Sequence, residues 1–175
     1  MINRAKNANN PRVLFIHGLE SSPKSTKATL LAQHFDALTP AMETGDFEAC
    51  VETQTQALKD FQPDVIVGSS FGGGVAVALL QRGIWAGPTL LLAQAALRQG
   101  QPCELPDDVP IWIVHGTRDD IVDPEDSRKL ARKGSPAQVR LIEVDDDHPL
   151  RGSVADGSLI GWVTALGALR PRSRP

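Results

Sequence analysis

Asp64-Val65-Ile66-Val67-Gly68-Ser69-Ser70-Phe71-Gly72-Gly73-Gly74 is the stretch that decides how this 175-residue chain folds. β-Branched residues fill Val65–Val67, and a strand this apolar suits a parallel sheet covered on both faces. Phe71–Gln81 is rich in Ala, Val and Leu, is closed by Gly83, and reads as a helix. Between strand and helix lies Gly68-x-Ser70-x-Gly72. On such a bend a serine hydroxyl is presented above the sheet, and small residues at Gly68 and Gly72 let strand and helix approach closely. A Gly-rich turn with a capping serine would also carry the pattern. The strand before it and the helix after it favour a nucleophile at Ser70, with Ser69 pointing elsewhere. A phosphate cradle has no support, since the Walker lysine and Gly-x-Gly-x-x-Gly are both missing.

Working outward, the same alternation repeats. Val13–His17, Thr89–Ala93 and Ile111–His115 are short apolar runs next to Pro or Gly, Gln138–Val144 alternates, and Asp36–Thr39 is a weaker strand. Helices are predicted over about Ser25–Phe35, with caps offered by Ser21-Ser22-Pro23, and over Phe47–Phe61, stopped by Pro63. Pro124–Lys133 reads as a charged surface helix, and Ser153–Leu169 contains a final helix broken near its ends by glycines. Strands alternating with helices imply an α/β fold: an open, mostly parallel sheet of about six strands with helices on both faces. One domain is expected over residues 12–169, with residues 1–11 and 170–175 as flexible ends.

Composition narrows the function. Apolar residues make up 41 % and charged residues 22 %, as in ordinary globular proteins, so disorder and disulfide scaffolds are excluded. A net charge of −3 gives no electrostatic case for nucleic acid. No apolar run approaches a membrane span, and the polar, Asn-rich start lacks the apolar core of a signal peptide. Cys50 and Cys103 have no metal or redox spacing, so no metal is expected of them. A cytoplasmic protein is the expectation.

A serine hydroxyl needs a histidine to take its proton and a carboxylate to orient that histidine. Of four histidines, His34 lies on a helix before the serine and His17 shapes the loop after the first strand. His115 ends a strand, where a structural hydrogen bond is its expected role. His148 follows the last strand in Asp145-Asp146-Asp147-His148-Pro149, the right place for the chain order serine, acid, histidine. The acid is expected in His115-Gly116-Thr117-Arg118-Asp119-Asp120-Ile121-Val122-Asp123-Pro124, at the carboxyl edge of the sheet where ligands bind. Asp119 comes first, Asp120 is the alternative, and Asp123 before Pro124 reads as a helix cap. Asp145–Asp147 read as a solvated charge run. The oxyanion of acyl transfer would be met by the backbone N–H of Phe71 and that of Leu19.

Together these residues resemble the α/β-hydrolase superfamily. The opening Phe15-Ile16-His17-Gly18-Leu19-Glu20-Ser21-Ser22-Pro23-Lys24-Ser25-Thr26-Lys27 is similar to the start of small bacterial esterases of the YqiA type. The Gly-Ser-Ser-x-Gly-Gly that follows is similar to theirs, and the His-Gly-x-x-Asp form aligns Asp119 with the superfamily's acid. The resemblance implies esterase or thioesterase activity on a small-molecule ester, without a cofactor. Between Ala93 and Ile111 there is no room for a cap over the site, so an open site is expected. The competing reading is a non-catalytic member of the fold that binds a small molecule or a protein.

Overall fold

The computed structural model describes residues 10–169, so the expectations for residues 1–9 and 170–175 fall outside it. Six strands form one sheet: β1 (Arg12–Ile16), β2 (Asp36–Leu38), β3 (Val65–Ser69), β4 (Thr89–Leu92), β5 (Ile111–Gly116) and β6 (Val139–Val144). Their order is β2-β1-β3-β4-β5-β6, and every neighbouring pair is parallel. The chain leaves β1 for β2 on one side and returns to β3 on the other. The order therefore reverses between β1 and β3, which opens a crevice at their carboxyl ends.

Side-chain alternation splits the core into two layers. Leu14, Ile16, Ile66, Leu91, Ile111 and Ile113 point to one face, covered by α2 (Phe47–Phe61), α3 (Phe71–Gln81) and α4 (Pro124–Arg132). Val13, Phe15, Val65, Val67, Leu90 and Val114 point to the other, under α1 (Thr26–His34), α5 (Arg151–Ala155) and α6 (Ser158–Gly167). Helices thus cover both faces, which is why β3 and β4 are buried at every position. Each fully buried Leu or Ile here contributes roughly 1.5–3 kcal/mol relative to exposure.

Four local features differ from expectation. The α1 cap is Ser25, whose hydroxyl accepts from the Ala28 amide, because Ser22 is engaged with the Lys24 amide instead. A short helix, α5, precedes the final one and starts at Arg151, before the expected range, with Gly157 at φ 84° between the two. Residues 10 and 11 are not part of a loose end: Asn10 donates to the His34 carbonyl, and Pro11 is buried against Gly167. Helix α4 is not only a surface helix, since Ser127 and Leu130 on its inner side are fully buried. Among the described residues no helix is long and apolar enough to cross a membrane.

Candidate active site

Ser70 sits between β3 and α3 with φ 53° and ψ −117°, a conformation that a serine adopts only when its surroundings impose it. The surroundings are visible. The Ser70 amide donates to the Leu92 carbonyl (2.9 Å), and its own carbonyl accepts from Ala95 (3.0 Å) and Gly74 (3.2 Å). The flanking glycines are steric necessities. A Cβ at Gly72 would stand 2.1 Å from the Ile16 carbonyl oxygen, and one at Gly68 would stand 2.7 Å from that of Gly72. The bend leaves the hydroxyl half-exposed at the carboxyl edge of the sheet.

His148 arrives there from the loop after β6. Its Nε2 lies 3.0 Å from Ser70 Oγ, and its Nδ1 lies 2.7 Å from Asp119 Oδ2. A carboxylate only accepts, so Nδ1 carries the proton and Nε2 presents a lone pair to the hydroxyl. The His148 side chain is 16 % exposed and that of Asp119 is fully buried. Asp119 Oδ1 accepts from the amides of Ile121 and Val122, both at 2.9 Å. Burial alone would raise the Asp119 carboxyl. The Val122 amide, His148 and the Ile121 amide outweigh it and hold the carboxyl below the usual carboxylate range. Asp120 is exposed, so Asp119 is the aspartate that meets His148. Asp123 caps α4, accepting from the Glu125 amide.

The loop that carries His148 is fastened by Asp146, which is buried rather than solvated, contrary to the reading of Asp145–Asp147 as a surface run. Its carboxylate accepts from the amides of Asp147 (2.9 Å), Gly152 (3.2 Å) and Ser153 (2.8 Å), and from the Ser153 hydroxyl (2.9 Å). Burial pushes this carboxyl up, and the amides of Ser153, Asp147 and Gly152 bring it below the usual range. Its carbonyl accepts from the Arg118 amide and packs over Gly116, where a Cβ would come within 2.4 Å of it. Of the outer two aspartates, Asp145 is exposed and Asp147 half-buried, and they pair with Arg118 and Arg151 respectively.

Of the expected oxyanion donors, Phe71 follows the serine directly and Leu19 lies on the loop after β1. Phe71 opens α3, and the first N–H groups of a helix have no intrahelical acceptor. Leu19 follows β1, whose Ile16 is level with Gly68 of β3. A Cβ at Gly18 would stand 3.5 Å from that of Ser70, so this loop runs beside the serine at Gly18. Among the described residues no cluster of His, Cys, Asp and Glu could hold a metal.

Sequence reasoning missed Asp146, Gln94 and Ser127, all buried near the site. The available signals were weak: a lone Gln in the apolar run Leu90–Ala96, and a Ser three residues before Leu130 on a charged helix.

The model of an uncharacterised protein family, UPF0227, matches residues 12–86. No curated protein matches in sequence. Solved structures match across the whole domain. A protein from Agrobacterium vitis assigned as a hydrolase is 21 % identical, with TM-score 0.71, covering 89 % of this chain and 88 % of that one. A protein from Xanthomonas campestris assigned as a hydrolase of the α/β superfamily is 24 % identical, with TM-score 0.68 and coverage of 91 % and 100 %. The esterase domain of a Rhodothermus marinus protein is 16 % identical, with TM-score 0.64 and coverage of 90 % and 84 %. A parallel sheet of this order, bent at Ser70 and matched along most of its length, gives the chain the fold of α/β hydrolases.

Proposed function

We propose that the protein is a serine hydrolase that cleaves carboxylic esters or thioesters through an acyl-enzyme. The observation that carries this reading is the chain of contacts from Ser70 Oγ to His148 Nε2 (3.0 Å) and from His148 Nδ1 to the buried Asp119 (2.7 Å). Ser70 Oγ attacks the carbonyl carbon as His148 Nε2 takes its proton. The carbonyl π electrons move to oxygen, which is met by the N–H groups of Phe71 and Leu19. The carbonyl re-forms, the bond to the leaving alkoxide or thiolate breaks, and His148 delivers the proton to it. Water, deprotonated by the same Nε2, then attacks the acyl-enzyme and releases the acid and free Ser70. Asp119 stays ionised throughout and stabilises the imidazolium.

The similarity of the fold to proteins assigned as hydrolases and to an esterase domain supports the same reaction class. No cofactor enters the scheme. The free thiols of Cys50 and Cys103 fit a reducing, cytoplasmic setting.

Two measurements test the reading: labelling by a fluorophosphonate probe, and hydrolysis of p-nitrophenyl acetate. Wild type is expected to label and turn over, and Ser70→Ala to lose labelling and at least about 10³-fold in rate. Hydrolysis undiminished in Ser70→Ala would remove the mechanism. An unlabelled wild type would point to a binding protein on the same fold.

A further inference from the structure

Beneath Asp119 lies a second imidazole that the reaction does not use. His115, the fifth residue of β5, has a fully buried side chain. Its Nε2 is 3.0 Å from the Val122 carbonyl, at which its N–H is directed, and 2.9 Å from Asp119 Oδ2, which sits off that axis. A carbonyl only accepts, so Nε2 carries the proton. Its Nδ1, 2.7 Å from Ser127 Oγ, then accepts from that hydroxyl. Ser127 Oγ in turn accepts from Gln94 Nε2 (3.1 Å), and Gln94 Oε1 accepts from the Ala96 amide (2.8 Å). Each bond fixes the direction of the next. Gln94 and Ser127 are both fully buried, so the chain runs without a break through the interior from the end of β4, across α4, to the acid loop.

We propose that His115 is a positioning residue for the acid of the triad. Its N–H anchors the Val122 carbonyl, and the amide of the same residue donates to Asp119 Oδ1. The turn that grips one carboxylate oxygen is thus tied to the sheet by the ring that lies against the other. With both oxygens flanked, Asp119 has one direction in which to offer Oδ2, and that direction is His148. Ser127 and Gln94 hold the His115 tautomer on which this depends, because with the proton on Nδ1 the ring would present a lone pair to a carbonyl and a carboxylate. A buried polar network of this kind is costly if one member is lost, since the remaining donors and acceptors have no water to turn to.

The inference rests on the proposed hydrolase reading, and the experiment separates the two. Wild type, His115→Leu, His115→Gln and Ser127→Ala are assayed with p-nitrophenyl acetate, and each rate is divided by the number of active sites titrated with the fluorophosphonate. Unfolded protein then drops out of the comparison. His115→Leu is expected to lose about 10- to 100-fold in kcat per titrated site with KM unchanged, the signature of a misaimed acid. His115→Gln carries an N–H at nearly the same reach and is expected to recover most of that loss. Ser127→Ala, which releases the tautomer, is expected to fall between them. Should His115→Leu yield no folded protein, the other two variants decide. Wild-type kcat per site in Ser127→Ala and in whichever His115 variants fold would overturn the positioning role while leaving the hydrolase reading intact. A wild type that neither labels nor hydrolyses would remove that reading itself.

Discussion

On the β5–β6 side of the crevice the functional groups are sunk into the protein and held from several directions. Asp119 accepts from two amides and His148, and Asp146 from three amides and a hydroxyl. On the β1 side the loop after Ile16 is exposed from Leu19 to Lys24. Leu19 has 51 % of its surface in solvent, and its carbonyl accepts a long 3.5 Å bond from Thr44. His17 beneath it is buried, yet its Nε2 has no partner among the described residues. On the proposed mechanism the two sides would do different work. Proton transfer tolerates little error in distance, and on that mechanism the β5–β6 side would be preorganised before any substrate arrives. The side that would meet the acyl group is left open to adapt, and specificity is expected to reside there.

The sharpest way to break this contrast is at its most constrained atom. Asp119→Asn is expected to reduce kcat about 10⁴-fold, because an amide beside Nδ1 no longer enforces the tautomer that leaves Nε2 free for Ser70. Asp120→Asn, one residue on and exposed, is expected to stay within about twofold of wild type. Steady-state rates of the two variants with p-nitrophenyl acetate make the comparison. Equal losses would mean that the loop, not one carboxylate, orients His148.

Asp146 tests whether the rigid side is rigid because of its hydrogen bonds. Replacing it by alanine strands three amides and a hydroxyl, and the expected cost is about 2–3 kcal/mol of folding stability in urea unfolding. In Asp146→Ala, kcat is expected to fall as well, since Asp147 and His148 share that loop. The pH dependence has a defined sign. Asp119 and Asp146 both titrate below the usual range when folded. As the pH falls through about 3.9, the unfolded chain takes up their protons first, so stability is lost from there downward and regained above. Urea midpoints between pH 3 and pH 6 should show this fall in wild type. The fall should be shallower in Asp146→Ala, which lacks one of the two groups.

The same contrast explains what could be read from the sequence. The fold was legible because its signals are local. The β-branched run Val65–Val67, bounded by Pro63 and Gly68, favours a covered strand, and Gly68 and Gly72 announce a close crossing. The meeting of Ser70 with His148 was legible from chain order once the fold was in hand. The choice between Asp119 and Asp120 was not, because it depends on which way a single turn sends its side chain. Ser127 and Asp146 were hidden for a related reason. Each sits among charged neighbours, Pro124-Glu125-Asp126-Ser127-Arg128 and Asp145-Asp146-Asp147, and only packing shows which member of the run turns inward. Polar burial is a tertiary property with little local signature, whereas apolar burial leaves a period.

The smallest expected effect belongs to the open side. Leu19→Ala removes a half-exposed side chain and leaves the backbone N–H in place, so stability should change by no more than about 0.5 kcal/mol. If this loop sets acyl preference, kcat/KM for p-nitrophenyl hexanoate should drop about threefold while that for the acetate stays level. An acetyl group does not extend far enough to meet the missing methyls. A chain-length series on wild type and variant gives the comparison directly. A uniform loss across the series would carry a different meaning: the substitution would have moved the Leu19 amide, and the exposed loop would be contributing to oxyanion binding rather than to acyl choice. Rigid and adaptable sides would then differ in how they are built but not in what they do.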